Sequence, residues 1–194
     1  CEQGKTLAGE GQMHLRAGVM ISTDDGKTWH DGGDTDAGYT RVSDRAVLGP
    51  DEPALVELDD GSICMLMRTG SDHLYQARST DEGKTWTQIG PSPLYGSNAP
   101  AALCKFRAGG RRGIVCVWNN SLQRYPLSAA ASFDGGRTWS KPKDLAGPTG
   151  GRKACYPSCE QAADGALVAI WRQEFPGGWD IRGARFNVAW LVEE

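Results

Sequence analysis

Ser79–Trp86 reads S-T-D-E-G-K-T-W, and the same pattern, S-x-D-x-G-x-T-W, recurs at Ser22–Trp29 and at Ser132–Trp139. We call these three segments the octets. Successive copies begin roughly 55 residues apart with strand-like sequence between them, which is typical of a radial array of β-sheets. The octets therefore predict a repeating all-β architecture.

The residue types of the octet suit a tight turn. The Ser and Asp side chains accept hydrogen bonds from nearby backbone N–H groups, and the glycine supplies a positive φ. The tryptophan that ends each octet packs its large apolar ring back against the hairpin. We therefore expect the octets to brace hairpins and to touch no ligand.

The composition is ordinary for a globular protein. The chain has 194 residues, 39% of them hydrophobic and 23% charged, which is enough for one core. The net charge of −3 disfavours a nucleic-acid partner, and no apolar run approaches the roughly 18 residues of a membrane span. Because the chain has neither an initiator Met nor a signal peptide, we expect that it was processed or is a piece of a longer one.

The six cysteines include no C-x-x-C pair, so a zinc site is not expected. We expect no other metal and no cofactor. Cys104 and Cys116 lie on successive predicted strands and could face each other, while the alternative is that they are small buried thiols. The redox compartment stays open, and a secreted or periplasmic location is favoured over a cytoplasmic one.

Between the octets, the chain repeats a plan of short strands joined by turns. The turn Asp59–Gly61 separates the predicted strands Ala54–Leu58 and Ser62–Arg68, and Asp164-Gly165 separates a similar pair near the end. The sequence therefore predicts hairpins at the same place in successive units.

Other elements are predicted less directly. A fourth strand is expected near Thr87–Ile89, a long loop over residues 30–44, a last strand at Val188–Val192, and no helix. The blade units are then residues 17–30, 52–90, 99–146 and 155–192. This plan predicts an all-β β-propeller of four-stranded antiparallel blades, with about three and a half blades in this chain and a closed four-bladed ring as the alternative.

Four polar residues fall at corresponding ends of these hairpins. Glu52 lies just before the first strand of its unit, and Arg68 ends the following strand. Arg124 lies between the second and third strands of the next unit, and Tyr156 opens the last unit. Ligand sites of propellers lie at one end of the central axis, where innermost strands and the loops before them meet. We therefore expect these four side chains to converge.

The same segments resemble the sialidase (neuraminidase) superfamily. Its members have a Glu shortly before a strand, an Asp-Gly turn and an Arg that ends the next strand, and Glu52–Arg68 is similar. Asn119–Arg124 resembles the loop of the next blade, and Tyr156–Gly165 resembles the segment in which a Tyr opens the final blade. The similarity covers about residues 17–192 and is closest to the BNR-like branch.

The resemblance implies a glycoside hydrolase that releases terminal sialic (nonulosonic) acid from glycans with retention. Arg68 and Arg124 would be two of the three arginines that bind the sugar carboxylate through paired, charge-assisted hydrogen bonds. Tyr156 would be the nucleophile, since a neutral phenol is not repelled by that carboxylate, and Glu52 would be its base. The substrate would be a sialylated or other acidic glycan.

The sequence departs from the family pattern in ways that matter. Sialidase propellers are usually six-bladed, so this chain would be the C-terminal part, with the other blades on a separate chain, removed, or supplied by a second copy. The first arginine and the aspartic general acid of the family have no counterpart here. Asp34 and Asp36 follow an octet rather than precede one, and Pro157 follows the Tyr where sialidases commonly have Ser.

Two other functions stay open. A polysaccharide lyase acting on another acidic sugar would use a His as base, and His73 would be that residue. A non-catalytic propeller that binds glycans or proteins is the second alternative, because a fold alone does not fix a function. The aromatic loop Phe175–Trp179 would suit stacking on a sugar ring under any of these functions.

Overall fold

The computed structural model describes residues 16–35, 50–96, 98–147 and 152–193. The described residues contain thirteen strands and one short helix. The strands are β1 (Ala17–Ile21), β2 (His30–Thr35), β3 (Asp51–Glu57), β4 (Ile63–Arg68), β5 (His73–Ser79), β6 (Gly90–Tyr95), β7 (Ala102–Ala108), β8 (Arg111–Asn119), β9 (Leu127–Ser132), β10 (Lys143–Ala146), β11 (Ala154–Gln161), β12 (Leu167–Phe175) and β13 (Gly178–Phe186). The helix is α1 (Val188–Val192).

These strands form four antiparallel sheets, and in each sheet neighbours in sequence are neighbours in space. The first sheet is β1-β2, the second β3-β4-β5-β6, the third β7-β8-β9-β10 and the fourth β11-β12-β13. The innermost strands β3, β7 and β11 contact one another in turn. The predicted all-β architecture of four-stranded antiparallel blades is confirmed, and the chain forms part of a propeller.

The core lies between consecutive sheets rather than within one. Its largest cluster joins the third sheet to the fourth, through Val117 and Ala129 on one side and Leu167 and Trp171 on the other. Strand β9 is buried along its whole length because sheets cover both of its faces. This explains its small residues, since Ala129 and Ala130 pack into different clusters.

The octets form the turns that their residues predict. In the second octet, Gly83 N donates to Ser79 Oγ (2.8 Å), and the Asp81 carboxylate accepts from both the N–H (2.8 Å) and the hydroxyl (2.6 Å) of Thr85. Trp86 Nε1 donates to Gly83 O at 3.0 Å. The other two octets repeat these four bonds.

The glycine of the octet is required by both conformation and space. Gly136 has a φ of 88°, and a Cβ built on it would lie 3.3 Å from the Trp139 ring. The Trp139 ring therefore covers the turn, as expected. It also packs against the hydrophobic clusters between the second and third sheets.

Two outer strands differ from the sequence prediction. Strand β2 occupies part of the expected loop over residues 30–44, and β6 begins after the expected strand at Thr87–Ile89. Both are edge strands, whose free side needs no partner, so β6 tolerates Pro91 and Pro93. Asp34 lies in β2, and Asp36 lies outside the described residues.

The predicted strand at Val188–Val192 is wrong, because this segment is α1. The Asn187 side chain caps the helix by accepting a hydrogen bond from Trp190 N at 2.8 Å. Val188 and Leu191, three residues apart, are the buried residues of the turn and join the core between the third and fourth sheets.

No helix in the described ranges is long and apolar enough to cross a membrane.

Cys104 and Cys116 do not face each other. Cys104 is paired with Val115, whereas Cys116 is paired with Leu103, so the two thiols lie on opposite faces of the third sheet. Both are buried free thiols. Burial raises the pKa of the Cys116 thiol well above its usual value, which keeps it protonated.

Acid is expected to weaken the octets. The hydrogen bond from the Thr28 hydroxyl lowers the pKa of Asp24 from 3.8 to about 2. The Asp24 carboxylate therefore stabilises the fold at pH above about 4, and this contribution is lost as the pH falls towards 2. We expect Asp24→Asn to lower the melting temperature at neutral pH and to make it less sensitive to acid, as measured by circular dichroism.

The matched control is Asp25→Asn, because the Asp25 side chain takes no part in the hydrogen bonds of this turn and Asn tolerates its left-handed backbone. Its melting curve should follow that of the wild type at every pH. Equal acid sensitivity in Asp24→Asn and the wild type would contradict this account of the octets.

Candidate active site

Glu52 and Tyr156 occupy the same place in their sheets. Each precedes a proline at the start of an innermost strand, and each lies the same number of residues before the glycine of an Asp-Gly turn. Their φ angles are 45° and 57°, in the left-handed region, and each lies at a break in the register of its strand. Such a bulge turns a side chain away from its regular direction.

Arg68 anchors Glu52. The guanidinium Nη1 lies 2.7 Å from Glu52 Oε2 and 4.0 Å from Asp51 Oδ2. Arg68 is the last residue of β4 and is paired with Asp51 in the ladder, so the backbone fixes this contact. Only 13% of the Arg68 side chain is exposed, against 33% for Glu52. The pair is therefore an ion pair in a largely desolvated position.

Arg124 approaches Tyr156 from the preceding sheet. It lies in the turn between β8 and β9, whose backbone is held to β11 by a hydrogen bond from Ala154 N to Arg124 O at 2.7 Å. Its Nη1 is 3.4 Å from the Tyr156 hydroxyl, and its guanidinium carbon is 5.3 Å from the Tyr156 ring centroid. Partial burial alone would lower the pKa of Arg124, but its interactions with Tyr156 and Cys155 together outweigh burial and the pKa is raised.

Asn98 joins the two arginines. Its side-chain Oδ1 accepts from Arg68 Nε at 2.7 Å, and its main-chain oxygen accepts from Arg124 Nη2 at 3.1 Å. The four predicted residues therefore belong to one hydrogen-bonded chain that runs Glu52–Arg68–Asn98–Arg124–Tyr156. We call it the site chain. The structure brings them together from three consecutive sheets.

The sequence prediction missed Asn98. One sequence feature could have pointed to it, namely a proline at the start of the innermost strand. Asn98-Ala99-Pro100 precedes β7, and Asp51-Glu52-Pro53 lies at the start of β3. Asn98 carries neither a charge nor a hydroxyl, so its sequence position alone did not mark it as a candidate.

The two arginines of the site chain differ in electrostatic character. Arg68 is neutralised by Glu52, whereas the described partners of Arg124 are the Tyr156 hydroxyl, the Cys155 thiol and the Asn98 main-chain oxygen. No carboxylate among the described residues pairs with Arg124, so its charge is not neutralised by an ion pair. The hydrogen bonds of the described residues do not join Glu52 directly to Tyr156.

His73 lies apart from the site chain. Its Nδ1 is 3.0 Å from Asp72 Oδ1, and its ring packs edge-on against Tyr95 at 5.9 Å. These residues belong to the outer strands β5 and β6, beside a cavity of about 450 Å³ lined in part by Pro91 and Ser92. Within the described ranges, no group of His, Cys, Asp and Glu side chains could hold a metal ion.

Antiparallel four-stranded sheets in a radial series, with the octets as turns between paired strands, define a β-propeller of the sialidase kind. The chain belongs to the BNR repeat-like domain family, whose sequence pattern matches residues 4–169. It is 27% identical over 187 residues to a sialidase from Micromonospora viridifaciens, a match covering 91% of this chain and 26% of that protein. The chain thus spans about a quarter of the length of this relative.

Solved sialidase structures share the fold. An intramolecular trans-sialidase from Ruminococcus gnavus superimposes with a TM-score of 0.67 at 19% identity, over 91% of this chain and 39% of that one. A variant of NanB sialidase from Streptococcus pneumoniae gives 0.73 at 15% identity, over 91% and 28%. Trypanosoma rangeli sialidase, solved with the inhibitor DANA, gives 0.65 at 19% identity, over 87% and 27%. At these identities the likeness concerns the fold.

The contacts of Asn98 give a specific prediction. Asn98→Ala removes the acceptor of Arg68 but keeps the main-chain oxygen that holds Arg124. We expect the Nε–H NMR signal of Arg68 to shift and to exchange faster with solvent, with a stability loss of about 0.5–1.5 kcal/mol, while the Arg124 signal stays in place. Asn98→Asp keeps the acceptor and is the control. An unchanged Arg68 signal in Asn98→Ala would contradict the bridge.

Proposed function

We propose that residues 1–194 form part of one propeller domain that acts as an exo-sialidase, releasing terminal sialic (nonulosonic) acid from glycans with retention of configuration. The observation that carries this proposal is the site chain. It brings a phenol, a carboxylate and two guanidinium groups into one hydrogen-bonded set.

The arginines suit an acidic sugar. A sialic acid carries a carboxylate on its anomeric carbon, and a guanidinium binds a carboxylate through two parallel N–H···O bonds. Arg124 is the stronger candidate for this contact, since its described partners are neutral. Glu52 and Asn98 already hold the Arg68 guanidinium through Nη1 and Nε, and its remaining N–H groups would bind the sugar carboxylate.

Tyr156 suits the nucleophile of such a sugar. Its phenol would attack the anomeric carbon without the repulsion that a carboxylate nucleophile would meet from the substrate. A phenol titrates near pH 10, so it needs a base, and Glu52 is the carboxylate in the site chain. Glu52 would take the proton directly or through one water once the substrate displaces it from its contact with Arg68.

The proposed site is not complete in this chain. The described residues supply no general acid for the leaving group and no first arginine of the family. We propose that further blades supply both, either in a longer form of the protein, on a separate chain or from a second copy. The protein's substrate would be a sialylated or other acidic glycan.

One observation favours a second function, a non-catalytic module that binds acidic glycans. The Tyr156 hydroxyl contacts Arg124 rather than Glu52, an arrangement that suits holding a ligand as well as attacking it. The lyase alternative needs His73 as base, and the described contacts of His73 lie on the outer strands.

Tyr156→Phe separates the hydrolase from the binding module. In a protein that contains this region with its further blades, we expect hydrolysis of a fluorogenic sialoside to fall by roughly a thousandfold or more. Binding of N-acetylneuraminic acid should change by no more than about threefold, because only one long hydrogen bond is lost. Tyr95→Phe on β6 is the matched control and should retain activity. Full turnover in Tyr156→Phe would exclude Tyr156 as the nucleophile.

The 194-residue chain alone is expected to hydrolyse little or none of the same sialoside, since it lacks an assigned general acid. The measurement is release of the fluorophore over hours at high protein concentration. Efficient turnover by the isolated chain would show that the acid lies within it and that the proposed division of the site is wrong.

A further inference from the structure

Arg172 repeats the position of Arg68 in the last sheet. Each follows the glycine of its Asp-Gly turn by the same number of residues. In the ladders, Arg68 is paired with Asp51, the residue before Glu52, and Arg172 is paired with Cys155, the residue before Tyr156. Arg172 therefore has the same ladder position relative to Tyr156 as Arg68 has relative to Glu52.

The two arginines also share the orientation of their strands. Leu66, on the face of β4 that carries Arg68, packs against the third sheet, which is the next one along the chain. On β12, Trp171 packs back onto the third sheet, so Arg172 lies on the opposite, open face. Both arginines thus lie on the face directed away from the preceding sheet.

The electrostatic surroundings of the two arginines differ. Arg68 meets a carboxylate, Glu52, at 2.7 Å, whereas the corresponding residue for Arg172 is the neutral Tyr156. The described acidic side chains form no ion pair with Arg172. At corresponding positions, the second sheet therefore has an arginine and a carboxylate, whereas the fourth sheet has an arginine and a phenol.

Trp179 holds the Arg172 side chain in place. The guanidinium carbon lies 3.6 Å from the centroid of the Trp179 ring, a stacked cation–π contact. The contact lies where β12 turns into β13, at the end of the sheet that carries Tyr156, with Trp179 on the side of β12 opposite to β11. A stacked guanidinium still presents its N–H edge to a ligand, so the contact orients Arg172 without using up its donors.

We propose that Arg172 is an additional anion-binding residue of this site, oriented by Trp179, and that it binds the carboxylate of the acidic sugar near Tyr156. This inference rests on the proposed function, because it assigns Arg172 to the same ligand. Two cations would then bind the ligand carboxylate near Tyr156, namely Arg124 from the preceding sheet and Arg172 from the adjacent strand.

The test is an NMR titration of the 194-residue chain with N-acetylneuraminic acid, and with its methyl ester as a neutral probe of the same shape. The wild-type chain is expected to bind the acid more tightly than the ester. Arg172→Gln should weaken binding of the acid by about tenfold and leave binding of the ester unchanged. Arg172 is exposed, so the variant should keep the wild-type spectrum elsewhere.

Arg185→Gln is the matched control. Arg185 is paired with Val168 and lies on the same face of the sheet as Arg172, but at the opposite end. Arg185 is ion-paired with Asp164, so Arg185→Gln changes the net charge by the same amount but removes a cation that is already neutralised locally. It should leave affinity for the acid within about twofold.

The outcomes separate the two proposals. If Arg172→Gln binds the acid like the wild type while Arg124→Gln binds it more weakly, the role of Arg172 is overturned and the proposed function stands. If Arg172→Gln and Arg185→Gln weaken binding equally, Arg172 acts only through net charge and the inference fails. If neither Arg68→Gln nor Arg124→Gln affects binding, or the wild type does not distinguish acid from ester, both proposals fail.

Discussion

A left-handed residue directly before a proline opens the innermost strands of two sheets, and the site depends on this constraint. Glu52 and Tyr156 hold φ angles of 45° and 57° at these points, a conformation that costs about 1–3 kcal/mol and that a following proline further disfavours. The regular ladders on either side of each bulge supply the stability that holds it. The bulge places the side chain of Glu52 or Tyr156 at the end of a sheet without interrupting the core.

The site is built by varying one repeated position. The same place before the strand carries Glu52 in the second sheet, Ala99 before the third and Tyr156 in the fourth. Because the backbone is repeated and the side chain is not, a carboxylate and a phenol come to lie at the same end of the second and fourth sheets, with the third sheet between them. The electrostatic surroundings of the two groups differ, since Arg68 forms an ion pair with the Glu52 carboxylate, whereas Arg124 lies beside the Tyr156 phenol.

Features with a local cause could be predicted from the sequence. The octets specify their own hydrogen bonds, and the Asp-Gly turns fix the hairpins that bring the four predicted residues together. The fourth strand of the second sheet was predicted near Thr87–Ile89 but lies at β6, and α1 was predicted as a strand, because edge pairing and the packing of Leu191 are decided by tertiary contacts. Asn98 was missed for a related reason, since it accepts hydrogen bonds from two arginines that belong to different sheets.

The most direct test of the account is a crystal structure of the chain with N-acetylneuraminic acid. The account predicts that the ligand carboxylate lies within hydrogen-bond distance of Arg68 and Arg124 and that the Tyr156 hydroxyl faces the anomeric carbon. A carboxylate bound away from this end of the sheets, for example beside Arg137 of the third octet, would contradict it.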